Sequence, residues 1–220
     1  MITPELIFIV LISVSIIMLI LSLFNLINFI IRNKKIKTLS YNLKRSKKKK
    51  KVKKEIKFLT QQKKNSSKFF ISFILLSSIC LGGYFVTKNY FEKNLSKNDM
   101  NTVMSTYFLI NDYKNNLEDA KNENGDKKDI TKKIETNSYK MSSYATKEPN
   151  DLLSIEGKRL MNRYFNSVSE LGVNSVPVYQ QFYGNPEVSD EFLNNINTVK
   201  QHEKELFKYF KIDESRIKKQ

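Results

Sequence analysis

The chain has 220 residues, a formal net charge of +16, one cysteine and one histidine. One cysteine excludes an intramolecular disulfide and a cysteine-based metal site, and one histidine excludes a multi-histidine metal site. The charge is concentrated: residues 32–68 carry 17 Lys or Arg against one acid, Glu55, whereas residues 88–220 hold 21 bases and 20 acids. The largest region therefore has no bias toward anions, and a whole-chain argument for nucleic acid fails.

Residues 1–5 read as a short external N-terminus and residues 6–31 as a first transmembrane helix. From Leu6 to Ile31 there is no charge in 26 residues; at ~1.5 Å per residue this is ~39 Å of helix, against ~30 Å of hydrocarbon to cross. The start MITPE lacks a basic n-region and no small-residue cleavage site follows, which argues against a removable leader. Phe69 to Thr87 gives 19 further uncharged residues, enough for a second transmembrane helix over 69–87. Neither span carries an ionisable side chain apart from Cys80, which disfavours a pump or proton relay. Ser15 and Ser22 share a helical face of the first span with Asn25, and Ser78-xxx-Gly82 makes a notch on the second. Ser15, Ser22, Ser78 and Gly82 are therefore candidates for packing the spans together.

Between the spans lies a basic loop, residues 32–68, in which nine of the eleven side chains from Lys44 to Lys54 are cationic. Arg32, Lys34 and Lys35 follow the first span and Lys63, Lys64 and Lys68 precede the second. The positive-inside rule then places this loop in the cytoplasm and both termini outside a cell membrane. Anionic headgroups attract juxtamembrane lysines by roughly 1 kcal/mol each near the surface, making Lys47, Lys48, Lys49, Lys50 and Lys51 candidates for lipid contact. Nucleic acid is disfavoured, because single-strand binders interleave aromatics for stacking and the loop offers only Tyr41 and Phe58. Ile36, Leu39 and Leu43, and again Val52, Ile56 and Leu59, recur at spacings of three and four, giving each arm a narrow apolar stripe.

Residues 88–220 show helical periodicity throughout. Met100, Val103, Tyr107, Ile110 and Leu117 mark a first segment, interrupted by Lys114 and closed by Asn124-Gly125-Asp126. Ile130, Ile134, Met141 and Tyr144 mark a second. Leu153, Leu160, Tyr164, Val168 and Leu171 mark a third, ended by Gly172 as a C-terminal cap. Ser189 begins a fourth that carries Phe192, Ile196, Val199, Leu206 and Phe210. The expected fold is an all-α membrane protein: two transmembrane helices plus an extracytoplasmic antiparallel four-helix bundle.

The connection Val173 to Glu187 is read as an irregular loop. It concentrates aromatics, and Tyr179, Phe182 and Tyr183 are candidates for binding a partner, against a rival reading as a lid over the end of the helices. His202, beside Glu203, reads as a surface residue. The stretch DAKNENGDKKD (119–129) fails the EF-hand pattern, since Gly125 as the obligatory glycine puts Ala120 at the first ligand position. No catalytic residue, metal site or cofactor is assigned. The expected function is a non-enzymatic membrane protein that binds an envelope or secreted protein as an accessory, scaffold or immunity-type factor. A signal transducer with the basic loop as output, or a membrane tether for nucleic acid, are the alternatives, and a homo-oligomer is compatible with all three.

Overall fold

A computed structural model describes residues 4–43 and 49–217. They are helical throughout, with no strand among them, and divide into two compact units, Met1–Lys88 and Asn89–Gln220. Helices α1 (Pro4–Leu43) and α2 (Lys49–Lys93) are both long and apolar enough to cross a membrane.

The two helices run antiparallel in the first unit, because Phe8 meets Tyr84, Ser15 meets Ser77 and Arg32 meets Ser66. The residues they turn toward each other follow one rule. From Pro4 through Phe8, Leu11, Ser15, Met18, Ser22, Asn25, Phe29, Arg32, Ile36 and Leu39 to Leu43, buried or half-buried positions alternate at spacings of four and three. The same alternation runs on α2 from Val52 through Ile56, Leu59, Lys63, Ser66, Phe70, Phe73, Ser77, Cys80 and Tyr84 to Thr87. A mean spacing of 3.5 keeps one stripe facing a partner over the whole length of a helix. With no Gly or Pro from Glu5 to Leu81, nothing in α1 after Pro4, or in α2 before Gly82, calls for a kink.

Helices α3 (Lys97–Lys121), α4 (Lys127–Ser142), α5 (Ile155–Ser175) and α6 (Pro186–Phe210) build the second unit. Each start carries its own cap: the side chains of Ser96, Asp126, Ser154 and Asn185 accept from the backbone N–H of Asp99, Asp129, Gly157 and Val188. α3 packs on α4, α4 on α5, α5 on α6, and α6 back on α3. Val103, Ile110, Leu117, Ile134, Met141, Met161, Val168, Ile196 and Leu206 fill the space between them. Polar groups drawn into this core are satisfied: Tyr113 Oη lies 2.7 Å from Ser175 Oγ, and Ser138 Oγ lies 2.6 Å from the same oxygen.

The structure departs from the periodicity at three places. In α3 the inward residue at the Lys114 interruption is Tyr113, fully buried, while Tyr107 is only half-buried. Gly172 does not cap α5, which continues to Ser175. Its role is close approach: a Cβ there would lie 2.6 Å from Met141 Cβ and 2.7 Å from Ser138 O, so α4 and α5 touch at a point where only hydrogen fits. Finally, α6 begins at Pro186 with Asn185 as cap, and Ser189 sits buried inside the helix, donating to Phe182 O at 3.1 Å.

Two substitutions test this packing in the full-length protein. Phe182→Ala is expected to destabilise the second unit by about 3–5 kcal/mol, as large core truncations do. Gly172→Ala should cost about 1–3 kcal/mol through overpacking, and Val173→Ala, on the exposed face, less than about 0.5 kcal/mol. Urea melts read by tyrosine fluorescence, with hydrogen exchange resolved over α4 and α5, would order the three.

Candidate functional site

Phe182 is fully buried, its ring edge-on to Phe192 at a centroid distance of 4.9 Å. Tyr179 and Tyr183 are half-buried, and Tyr183 Oη donates to Gly125 O at 2.7 Å while Gly184 N donates to Ala120 O at 2.9 Å. The connection between α5 and α6 is thus fastened down over the α3–α4 turn and carries a short helical turn, Tyr179–Gln181, instead of running irregularly. The three aromatics do not form one exposed patch, because Phe182 is needed inside.

In the membrane-length helices, Ser15 and Ser22 are buried against α2, but the residue that answers Ser15 is Ser77, Oγ to Oγ 2.9 Å, with Ser77 Oγ also donating to Ser15 O at 3.2 Å. Ser78 is exposed and donates to Ile74 O within its own helix, and a Cβ on Gly82 would meet nothing within 4 Å. The seam therefore passes one residue away from the Ser-xxx-Gly notch, a rotation of about 100° on a helix. Further along it, the Arg32 guanidinium donates to Gln62 O at 2.8 Å and to Ser66 Oγ, and Lys63 Nζ reaches Asn33 Oδ1 at 2.9 Å and lies 5.0 Å from the centre of the Phe29 ring.

Of the five lysines proposed for lipid contact, Lys47 and Lys48 lie outside the described residues. Lys49, Lys50 and Lys51 open α2 and are exposed.

The second unit carries a groove that no local motif announces. It has a volume of about 700 Å³ and runs along the outer face of α5 beside α6, lined by Ile155, Arg159, Asn162, Arg163, Asn166 and His202 among others. Ile155, in the first turn of α5, is 90% exposed. The Arg163 guanidinium is paired with Glu205 through Nη2, yet its Nε is buried with no hydrogen-bond partner, and so is Nδ1 of His202. Burial, followed by the positive charge of Arg163, lowers the His202 pKa below its ordinary 6.5, so the imidazole is neutral at pH 7. A guanidinium N–H and an imidazole nitrogen shut off from water and left without a partner each carry a desolvation cost of about 1–3 kcal/mol. A bound group with matching donors and acceptors would remove it. A second groove, between α3 and α4 and lined by Asp112, Asn116, Asp129, Lys133 and Asn137, holds no such atom among the described residues.

Beneath the groove, α5 and α6 share a buried polar network. Glu203 accepts from Tyr164 Oη at 2.7 Å and from Lys200 Nζ at 2.8 Å, and the Lys200 ammonium lies 4.5 Å from the centre of the Tyr107 ring. Burial raises the Glu203 pKa, against the opposing pull of Lys200 and Tyr164. Among the described residues no group of three or more His, Cys, Asp or Glu is arranged to hold a metal ion. No protein-family model, curated protein or solved structure matches this chain.

The network predicts a pH dependence. Unfolded, Glu203 loses its proton near the ordinary 4.5, whereas folded it holds the proton to higher pH. Above pH 4.5 the folded state therefore binds more protons than the unfolded one, and stability falls as pH rises until the folded group has ionised. Glu203→Gln cannot titrate, so its stability relative to the parent should climb between pH 4.5 and neutrality in paired urea melts. A constant difference across that range would place the titration elsewhere.

Proposed function

We propose that the chain is a two-span membrane protein whose residues 88–220 form an antiparallel four-helix bundle outside the cytoplasm, where it captures another envelope or secreted protein through the α5–α6 groove. The topology is supported by Arg32, Lys34 and Lys35 after the first span and Lys63, Lys64 and Lys68 before the second, all on one side of the membrane under the positive-inside rule. These six also stand at the level where anionic headgroups attract cations. The bundle is supported by the closed sequence of neighbours α3–α4–α5–α6 around one core.

The observation that carries the binding role is the pair of buried, unpartnered nitrogens, Arg163 Nε and His202 Nδ1, in one open groove. The groove mixes amides, paired charges and the exposed Ile155, without net charge of either sign large enough to select a strongly acidic or basic ligand. That chemistry suits a polar protein surface offering a carbonyl or side-chain oxygen to Arg163, with one apolar side chain set against Ile155. It is a binding function, with no bond made or broken.

A photocrosslinking residue at the exposed Asn166, placed in the full-length protein in intact cells, is expected to link to one envelope or secreted protein. Arg163→Lys, which keeps a cation for Glu205 but removes Nε–H, should weaken that capture by about 10–100-fold, the worth of a hydrogen bond to a charged group, while leaving the free protein no less stable in a urea melt. Crosslinks insensitive to Arg163 would remove the groove from the reading.

A second reading rests on the continuity of α2, which runs unbroken from Lys49 through the second span to Lys93. One helix thus joins the basic loop to the threshold of the external unit, as a signal transducer requires. In that case occupancy of the groove would change the rate at which a cysteine at position 50, in a Cys80→Ser background, reacts with maleimide; an identical rate with and without the captured protein would leave binding as the whole function.

A further inference from the structure

The lysine-rich end of the α1–α2 hairpin stands too far from the spans for its own membrane to neutralise it. Past Phe69, the first residue of the second uncharged run, α2 continues to Lys51 for 18 residues without a break, which is ~27 Å of helix. On the other arm α1 continues 11 residues past Arg32 to Leu43, a further ~16 Å. The headgroup layer takes up only about 5–8 Å of this on each side of the hydrocarbon. Fields from the lipid surface decay with a Debye length of about 8 Å at physiological salt, so Lys49 to Lys51 lie roughly two such lengths from the nearest headgroup.

Bending the arms back is opposed by their construction. The stripe that pairs the spans continues into the arms without a change of spacing, with Ile36, Leu39 and Leu43 on α1 and Val52, Ile56 and Leu59 on α2 half-buried. An ordinary tilt of about 20° shortens the reach by only about a twentieth.

The lysines occupy the opposite faces: Lys37 on α1 and Lys49, Lys50, Lys51, Lys53 and Lys54 on α2 are all exposed. Residues 32–68 contain one acid to set against 17 bases, so the arms repel each other. Water and mobile salt ions screen these exposed charges, and a polyanion in the aqueous phase would neutralise them directly.

We propose that this stalk binds duplex nucleic acid through its phosphates, without reading sequence. Lysine ammonium groups are flexible point charges suited to phosphate contact and poor at base recognition. They are spread along two helices, which fits a uniform line of charge better than the shaped surface of an acidic protein. The shortage of aromatics excludes stacking of a single strand, but duplex binding by counterion release needs none. The biological availability of this ligand rests on the cytoplasmic placement of residues 32–68 proposed above; the geometry does not.

The test uses the full-length protein in nanodiscs of zwitterionic lipid and a labelled duplex of random sequence. Binding should fall by about a thousandfold or more between 50 and 200 mM salt, as contact with about six phosphates requires. Replacing Lys49, Lys50, Lys51, Lys53 and Lys54 by Gln should flatten the salt slope by about four and weaken all duplexes alike. In cells, ultraviolet crosslinking should recover nucleic acid on the parent and lose it on this variant.

No binding at 50 mM salt, or a slope unmoved by the five substitutions, overturns the proposal. Poly-glutamate of equal charge competing as well as duplex would reassign the stalk to acidic proteins. A polarity-sensitive dye at position 50 that enters a headgroup environment when anionic lipid is added would show the stalk lying on its membrane. An impermeant maleimide that reaches position 50 from outside intact cells, in a Cys80→Ser background, would refute the topology while leaving the nanodisc result standing.

Discussion

The 3.5-residue spacing of the seam between α1 and α2 is the constraint on which the first unit depends. Within a bilayer, apolar burial gives two helices no reason to associate, since lipid is as apolar as leucine. The specific bonds in the uncharged runs come from Ser15 and Ser77, whose hydroxyl and carbonyl groups meet at 2.9 and 3.2 Å, among larger seam residues such as Phe8 and Tyr84. Beyond the uncharged runs the same positions are taken by Ile36, Leu39, Val52 and Ile56, where water restores the hydrophobic drive. Arg32, held by Gln62 O and Ser66 Oγ, stands where one chemistry gives way to the other. On the proposed two-span reading one periodicity serves two solvents, and the seam continues past the uncharged runs without a change of spacing.

The second unit is held by different means. Its helices meet through large apolar and aromatic side chains, and the closest approach falls where Gly172 lets α4 and α5 touch. Its two buried hydroxyl and carboxylate networks, Tyr113–Ser138–Ser175 and Tyr164–Glu203–Lys200, are internally satisfied. Satisfied networks fix the way a core packs. That makes the unsatisfied nitrogens of Arg163 and His202 stand apart from the rest of the unit, on two residues that line the α5–α6 groove.

Element type and core face were legible in the chain because apolar spacing reports them directly: Val103, Ile110, Ile134, Leu160, Val168, Ile196 and Leu206 all face inward as their periodicity requires. What was not legible depends on a second helix. Ser77 and Ser78 are equally small, and only the register against α1 selects Ser77. Phe182 looks like a binding aromatic until α6 places Phe192 beneath it. Gly172 has the local signature of a helix end, yet α4 passes close enough to need its missing side chain. The groove residues Arg163 and His202 are separated by 38 intervening positions, so no spacing rule joins them.

The distribution of charge follows the same division. Nearly all of the net +16 sits on residues 32–68, and the second unit balances its bases with acids, many of them as neighbours on one helix, such as Lys133 with Asp129 and Arg159 with Glu156. A balanced surface gives no long-range pull on a ligand, so recognition there must come from short-range fit and hydrogen bonds. An unbalanced stalk does the reverse: it attracts any polyanion within a Debye length and discriminates little among them. The two proposals therefore call for opposite kinds of recognition, the groove holding one partner closely and the basic stalk of residues 32–68 holding a class of partners loosely.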